Sequence, residues 1–229
     1  CDGNGNTTAL QDWLNSNGGA SASDDCSAIS WSNDFTALSD DCGTTGSATV
    51  TFTVTDGCGN TSSTTATFTI EDTTNPTFNE TLPVDATVEC DNVPAADTLT
   101  ASDSCSNATV VLDEVRTNGS CPGAYVLTRT WTATDECGNS TSHTQTVTVE
   151  DTTAPTFNES LPTDETVECD AVADAVTLTA SDNCGTADVT FTETTADGSC
   201  PGAYVLTRTW TATDECGNTT SHTQTVTVQ

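Results

Sequence analysis

The chain has 229 residues, of which 34 are acidic and three are arginine, and its formal net charge is −31. Such a charge repels phosphate backbones and anionic lipids and attracts divalent cations, so we expect no nucleic acid partner. No apolar run is long enough to insert into a membrane. These 229 residues show no signal-peptide pattern and no methionine, and we expect a piece of a longer processed protein.

Twelve cysteines compensate for a hydrophobic content of only 34%. Zinc sites use cysteine pairs two to four residues apart, whereas the nearest cysteines here, such as Cys90 and Cys105, are far more widely spaced. Cytosolic proteins rarely contain so many cysteines outside metal sites. The sequence therefore predicts disulfides and an extracellular location.

A repeat organises the chain. Residues 72–150 and 151–229 align without gaps, and 58 of the 79 positions are identical. The first 71 residues follow the same frame, except that Cys1 is displaced by ten residues. We expect three modules, at 1–71, 72–150 and 151–229, with the N-terminal strand missing from the first. A lipid-anchored Cys1 is an alternative to its role as the first disulfide partner of that module.

The first predicted element is an insert in the first module, TTALQDWLNSNGG. Leu10, Trp13 and Leu14 have helical spacing, Thr7 is a candidate N-cap and Gly18 a stop signal. We predict a short helix over residues 7–18. The alternative is a structured loop whose tryptophan fills a surface groove.

The remaining segments alternate with the period of β-strands, as in TVTFTVTD, TATFTIED, YVLTRTWTATD and HTQTVTVE. Short strands separated by glycine and asparagine predict an all-β fold of three immunoglobulin-like sandwiches in an extended rod. Tyr204, Leu206, Trp210 and Ala212 should face the core. Arg208 falls on the same face, and we expect it to reach the sandwich edge or pair with a buried carboxylate.

The disulfide prediction rests on strand length. The strand between Cys200 and Cys216 spans roughly 35 Å, too far for a bond while it stays straight. Alternate cysteines should therefore share one end of each module and bond there. The predicted pairs are Cys1–Cys42, Cys26–Cys58, Cys90–Cys121, Cys105–Cys137, Cys169–Cys200 and Cys184–Cys216.

Short linkers, IEDTTNPTF and VEDTTAPTF, join the modules and predict stiff connections. The topology brings linker acids to two loops of the next module, where calcium could neutralise them. The candidate ligands are Glu71, Asp72, Asp103, Asp135 and Asn139 at one junction, and Glu150, Asp151, Asp182, Asp214 and Asn218 at the other. The alternative is that these side chains are ordinary solvated turn residues.

The pattern DTTxPTF…LPxDxTVEC…SDNCG…WTATDECGN…TVTV resembles hyalin-repeat (HYR-like) modules. It looks especially like the tandem repeats of giant cell-surface gliding-motility adhesins of Bacteroidota, exported by the type IX system. The resemblance implies an immunoglobulin-like fold, a cell-surface location and a part in adhesion or gliding. It also implies O-glycosylation candidates in DTT and DTL, namely Thr73, Thr98 and Thr152.

Three function classes compete. His143 and His222 have no adjacent nucleophile signature, and no cofactor motif is present, so we do not expect an enzyme. A carbohydrate- or protein-binding role would centre on Trp13, where the first module departs from the repeat. Near-identity of the modules and short linkers favour a stalk, whose partners are neighbouring modules and an unknown surface or glycan ligand.

Overall fold

The computed structural model describes Cys1, residues 6–199 and residues 201–229. Strands make up 46% of the described residues and helix 5%, which confirms the all-β class. Within the described ranges, no helix is long and apolar enough to cross a membrane.

The elements follow the repeat. Residues 1–71 hold a helix α1 (Thr7–Asn15), a 3₁₀ turn (Asn17–Gly19), β1 (Ser30–Asn33), β2 (Gly46–Thr55) and β3 (Thr61–Ile70). Residues 72–150 hold β4 (Thr77–Phe78), β5 (Ala86–Glu89), β6 (Ala101–Ser102), β7 (Ala108–Asn118), β8 (Tyr125–Asp135) and β9 (Ser140–Glu150). Residues 151–229 hold β10 (Thr156–Phe157), β11 (Glu165–Val167), β12 (Ala180–Ser181), β13 (Ala187–Asp197), β14 (Tyr204–Asp214) and β15 (Thr219–Val228).

The strands form sandwich-like sheets. The first repeat has one sheet in the order β1-β2-β3. The second has a two-stranded sheet β4-β6 and a four-stranded sheet β5-β9-β8-β7, and the third repeats this arrangement with β10-β12 and β11-β15-β14-β13. Most pairs are antiparallel, but β5 and β11 pair in parallel with the last strand of their repeat.

The chain divides into two compact units whose boundaries pass through the second repeat. One unit contains Cys1–Pro83, Asp97–Asp113 and Thr130–Thr144, and the other contains Val84–Ala96, Glu114–Arg129 and Gln145–Gln229. Each unit therefore holds one junction between consecutive repeats.

Alternating burial along β14 produces the core of the third repeat. Leu206, Arg208, Trp210 and Ala212 are buried, and Tyr204 is half-buried. Leu206 packs with Val226 and Val228 of β15. This confirms the predicted core face, because threonines occupy the intervening positions and point away from the core.

The buried arginines are paired, but their partners are exposed carboxylates and not the buried ones that the sequence led us to expect. Arg208 Nε lies 2.7 Å from Glu193 Oε2, and its Nη2 donates a hydrogen bond of 2.6 Å to the Ala173 carbonyl. Arg129 makes the equivalent contacts with Glu114 and with the Pro94 carbonyl. These contacts satisfy two charges that burial would otherwise penalise.

The predicted helix is present, but it ends at Asn15 and not at residue 18. Asn6, and not Thr7, is its N-cap. Trp13 lies over the sheet, with its ring centroid 5.3 Å from Phe52 and 5.4 Å from Phe68. Gly18 has a φ of 65°, and a Cβ there would lie 2.6 Å from the Phe52 ring. The insert therefore covers the apolar face of a sheet that has few strands of its own.

Candidate functional site: the joints between repeats

Linker, loop and cysteine side chains of consecutive repeats meet at two places, which we call the first and second joint. The first joint consists of Cys1, Cys42, Asp72 and residues 103–106 and 135–139. The second consists of Cys90, Cys121, Asp151 and residues 182–185 and 214–218. The first joint lies wholly within one compact unit and the second wholly within the other.

Four disulfides cross the joints, and this corrects the predicted pairing. The bonds are Cys1–Cys105, Cys42–Cys137, Cys90–Cys184 and Cys121–Cys216, with Cα–Cα distances of 5.9, 5.3, 5.7 and 5.1 Å. The predicted pairs Cys1–Cys42, Cys90–Cys121, Cys105–Cys137 and Cys184–Cys216 are therefore wrong. Cys26 and Cys58 are exposed free thiols, which contradicts Cys26–Cys58. Cys169 is also exposed and free, and its expected partner Cys200 lies outside the described residues.

The physical reason is that the facing end of a neighbouring repeat is closer than the prediction assumed. The first and third cysteines of one repeat meet the second and fourth cysteines of the next, at distances typical of disulfides. The prediction considered distances only within a repeat. Its geometric premise, that a straight strand separates consecutive cysteines, agrees with the intact strand β8 between Cys121 and Cys137.

Close backbone approach brings the sulfurs together. At the first joint, a Cβ on Gly43 would lie 2.3 Å from the Cys105 carbonyl oxygen, and Thr44 N–H donates to that oxygen at 2.9 Å. At the second joint, a Cβ on Gly123 would lie 3.0 Å from the Cβ atoms of Asp151 and Cys184. The first joint therefore requires a glycine at position 43, whereas a side chain at position 123 would only be crowded.

Three carboxylates converge at the second joint. One oxygen each of Asp151, Asp182 and Asp214 lies within 4.8 Å of the others. Among the described residues, Asp151 Oδ1 and Asp182 Oδ2 are buried side-chain oxygens without a hydrogen-bond partner. Burial, followed by the negative charges of Asp182 and Asp214, raises the pKa of Asp151. The site thus concentrates negative charge that its own hydrogen bonds do not neutralise.

The first joint has the same aspartates but a different arrangement. Asp72 lies in one group with Asp135 and Cys137, and in another with Asp103 and Cys105. Both cysteines are in disulfides, so their sulfurs are not thiolate ligands. Ser106 Oγ donates to Asp72 Oδ2 at 3.5 Å, whereas the equivalent residue in the second joint is Gly185, which has no hydroxyl.

Asparagine orients one aspartate at each joint instead of presenting a free ligand. Asn218 Nδ2 donates to Asp214 Oδ2 at 2.9 Å and to the Asp151 carbonyl at 3.0 Å. Burial acts to raise the pKa of Asp214, but hydrogen bonds from Asn218 and from backbone amides outweigh it and hold the pKa below its usual value. Asn139 makes the same contacts with Asp135 and the Asp72 carbonyl. Each asparagine thereby also ties the linker to the next repeat.

Two of the predicted calcium ligands are not in these carboxylate groups, and one acidic residue of the second joint was not predicted. Glu71 and Glu150 are exposed. Glu89 instead joins Asp151 and Cys184 in a group, and it accepts hydrogen bonds from the backbone N–H and the hydroxyl of Thr152. Glu89 belongs to the repeated motif TVEC, and its position directly before the bridging Cys90 was the available signal.

The donor set of the second joint suits a hard divalent cation. Calcium prefers carboxylate and carbonyl oxygens over nitrogen or sulfur, and Asp151, Asp182 and Asp214 offer carboxylate oxygens, two of which lack a partner. A bound cation would satisfy those oxygens and offset the repulsion. The first joint fits less well, because its three aspartates do not form one group and Asp72 has a hydroxyl donor.

The remaining candidates have ordinary surroundings. His222 Nε2 lies 2.8 Å from the Pro162 carbonyl oxygen, and its ring stacks on Trp210 at a centroid distance of 6.1 Å. His143 makes the equivalent contacts with Pro83 and Trp131. Thr73, Thr98 and Thr152 are exposed, and the hydroxyl of Thr152 contacts Glu89.

A family model described as an HYR-like domain with 4 cysteines matches residues 157–228. This match covers the third repeat. Over these residues the chain is similar to an HYR-like domain, which is an extracellular-type module. No curated protein matches the chain.

Solved structures give weak overall similarity to repeated extracellular domains. A protocadherin gammaB7 EC3-6 cis-dimer structure has a TM-score of 0.37 and 15% identity, covering 87% of this chain and 68% of the other. Drosophila N-cadherin EC1-4 has a TM-score of 0.31 and 15% identity, with 82% and 58% covered. The Ig1-2 module of the Drosophila receptor protein tyrosine phosphatase DLAR has a TM-score of 0.26 and 16% identity, with 68% and 100% covered.

Proposed function

We propose that the chain is a stalk segment of a large cell-surface adhesin, which holds a binding tip away from the cell during attachment or gliding. The observation that carries the proposal is that two disulfides connect each repeat to the next. A domain that acts alone needs no such bonds, whereas a stalk under tension needs its joints to survive even when a repeat unfolds.

The bonds shorten the covalent route along the chain. From Cys1 the route crosses to Cys105, follows the backbone to Cys121, crosses to Cys216 and ends at Gln229. This route contains about 30 residues, which span about 100 Å when fully extended. The reduced chain would extend to about 800 Å. The disulfides therefore limit how far the stalk can lengthen under load.

A divalent cation at the second joint completes the proposal. Asp151, Asp182 and Asp214 would hold it, and calcium is the cation that their oxygens suit. The chemistry it would supply is neutralisation, with no catalytic step. Asn218 and the disulfide Cys121–Cys216 fix the positions of the carboxylates.

Single-molecule stretching tests the stalk role. The chain is pulled between its two ends, first oxidised and then in a reductant. We expect the oxidised chain to reach no more than about 100 Å and the reduced chain about 800 Å. Disulfides confined within repeats would instead allow about 400 Å, and an oxidised length near that value would contradict the proposal.

A second candidate function, carbohydrate or protein binding, is favoured by one groove in the third repeat. The groove has a volume of about 720 Å³ and is lined by Phe191 and Tyr204 together with Glu193 and Asp197. In the second repeat, the Arg116 guanidinium carbon lies 3.6 Å from the centroid of the Tyr125 ring, whereas Thr195 takes the place of that arginine in the third. Tyr204 is therefore available to stack on a sugar ring.

Glycan titration followed by NMR tests this candidate. Tyr204→Ala should abolish the chemical-shift changes that the glycan causes. Tyr125→Ala, the matched change in the second repeat, should preserve them. Shifts that survive Tyr204→Ala would place the ligand elsewhere, and the absence of shifts with a broad glycan panel would leave the stalk role alone.

A further inference from the structure

The groove of the third repeat differs from the equivalent surface of the second repeat at three positions that set its charge. All three lie among the groove-lining residues and within one compact unit. Thr195 stands where the second repeat has Arg116, Asp197 where it has Asn118, and Asp174 where it has Ala95. The third repeat therefore has one positive charge fewer and two negative charges more at this surface.

The second repeat shows what the tyrosine ring at this position binds. The Arg116 guanidinium carbon lies 3.6 Å from the centroid of the Tyr125 ring, and Arg116 Nε donates to Asn118 Oδ1 at 3.2 Å. A guanidinium is attracted to the face of an aromatic ring because that face carries partial negative charge. The chain thus contains its own example of a cation held between this ring and an oxygen acceptor.

The third repeat keeps the ring and the acceptor but not the cation. Tyr204 and Asp197 both line the groove, and they are directly opposite each other in the pairing of β13 with β14. The hairpin between these strands closes with the same backbone hydrogen bond as its counterpart, donated by Gly198 at 2.9 Å and by Gly119 at 2.8 Å. Thr195 is uncharged and too short to take the place of the arginine.

The charges that line the groove favour a cationic ligand. The buried Arg208 is the only cation among the lining residues, and it pairs with Glu193 at 2.7 Å. Asp174 and Asp197 are exposed, and within the described ranges neither has an ion-pair partner. Phe191, which is 45% exposed, adds a second aromatic ring to the wall. A flat cation with apolar faces complements such a groove, and the guanidinium group has that shape.

We propose that this groove binds an arginine side chain from a segment of a partner protein, with the guanidinium stacked on Tyr204 and paired with Asp197. The arginines of the present sequence are engaged already, since Arg129 and Arg208 are buried in ion pairs and Arg116 lies on its own tyrosine. β13 is the last strand of its sheet, so a segment of another chain can approach the groove from that edge.

This inference rests on the second candidate function, because it names the ligand of the same groove, and it does not depend on the stalk role. The probe is the tripeptide Gly-Arg-Gly, blocked at both ends and titrated into the full oxidised chain at about 0.15 M salt, which screens diffuse attraction to the acidic surface. NMR should show saturable chemical-shift changes at Phe191, Thr195 and Tyr204. The matched peptide with citrulline, the neutral analogue of arginine, should bind about tenfold more weakly.

Exchanges between the two repeats provide the matched variants. Thr195→Arg should weaken peptide binding by at least about tenfold, because the new side chain takes the place on Tyr204 that Arg116 takes on Tyr125. Arg116→Thr should create a second, weaker site in the second repeat, since Asn118 has no charge. Both substituted residues are exposed, so the melting temperatures should stay close to that of the parent chain.

Two further variants separate the ring from the charge. Tyr204→Phe should keep the binding and Tyr204→Ala should remove it, because the ring face and not the hydroxyl holds the guanidinium. Asp197→Asn should weaken binding by about threefold and reduce its dependence on salt.

The possible outcomes separate this inference from the function on which it rests. Shifts that persist in Thr195→Arg, or citrulline binding as strong as arginine binding, would overturn it. Shifts spread over the whole acidic surface would do the same. Binding of a glycan at Tyr204 without binding of the arginine peptide would retain the second candidate function and overturn the arginine ligand, whereas the absence of both would overturn both.

Discussion

The two joints have the same cysteines and aspartates but balance their negative charge differently. At the first joint, Ser106 donates to Asp72, and the three aspartates do not form one group. At the second joint, Gly185 offers no hydroxyl, and the carboxylates of Asp151, Asp182 and Asp214 form one group. Asp151 and Asp182 each have one buried oxygen without a hydrogen-bond partner. The difference between Ser106 and Gly185 thus distinguishes the two joints. At the first, a hydroxyl donates to the linker aspartate, whereas at the second the unpartnered carboxylate oxygens suit a cation.

The largest expected effect comes from removing a joint disulfide. Replacing Cys121 and Cys216 by alanine should lower the free energy of unfolding by about 3 kcal/mol, because the bond limits the freedom of the unfolded chain. Chemical denaturation measures it. Replacing Cys42 and Cys137 at the first joint is the matched change, and we expect a similar loss. No loss from either double variant would contradict these pairings.

Calcium should then distinguish the joints. A ligand at a hundred times its Kd stabilises by about 2.7 kcal/mol, which corresponds to a rise in melting temperature of several degrees for a protein of this size. Asp182→Asn should abolish the rise, whereas Asp103→Asn at the first joint should preserve it. Calorimetry in chelator and in millimolar calcium provides the measurement. An equal rise in both variants would contradict a site at the second joint.

The close approach of the Gly43 turn to the backbone of Cys105 at the first joint can be tested by substitution of Gly43. Gly43→Ala places a Cβ 2.3 Å from the Cys105 carbonyl oxygen, and the φ of Gly43 is 58°. Gly202→Ala is the control, because its φ is 88° but no described residue lies within 4 Å. We expect Gly43→Ala to cost about 2 kcal/mol more than Gly202→Ala. Equal melting temperatures would mean that this turn does not contact the next repeat closely.

Exchanging serine and glycine between the equivalent positions 106 and 185 should change the free energy of unfolding by a smaller amount, measured in chelator. A Cβ at Gly185 would lie 2.7 Å from Glu215 Oε2, so the flexible Glu215 side chain must move aside in Gly185→Ser. The new hydroxyl should then donate to Asp151 and raise the free energy of unfolding by about 0.5–1 kcal/mol, and Ser106→Gly should lower it by a similar amount. Gly185→Ser should also weaken the response to calcium. A Gly185→Ser chain that responds to calcium as strongly as the parent would show that the hydroxyl does not separate the joints.

The pH dependence should have the smallest effect. The folded state raises the pKa of Asp151, so the stability contributed by this group is fully present below its ordinary pKa and is lost as the pH rises through the raised value. Without calcium, Asp151→Asn should therefore stabilise the chain near neutral pH and bring no gain near pH 3. Urea midpoints at the two pH values measure this. A gain of equal size at both would contradict the charge argument.

The residues that could be read from the sequence are those whose role is local. Alternation along YVLTRTWTATD predicted the buried face of β14, and the paired state of Arg208 followed from the cost of an unpaired buried charge. The position of Asp151 near Asp182 and Asp214 followed from strand order and a short linker.

Other features depend on distances between repeats, which no local pattern encodes. The bond between Cys90 and Cys184 needs the facing ends of two repeats to lie within disulfide range, and periodicity within one repeat cannot show that. The close contact of Gly43 with the next repeat also could not be predicted. The sequence shows only a glycine after a cysteine, which is typical of any turn. The aspartates had a pattern, but the effect of Ser106 against Gly185 required the contact with Asp72.

Mass-spectrometric mapping of disulfide-linked peptides from the unreduced chain tests the central claim most directly. The structure predicts peptides that join Cys90 to Cys184 and Cys121 to Cys216, and at the first joint Cys1 to Cys105 and Cys42 to Cys137. Peptides joining Cys90 to Cys121 and Cys184 to Cys216 would contradict it, because the repeats would then be clamped separately and the joints would hold no covalent bond.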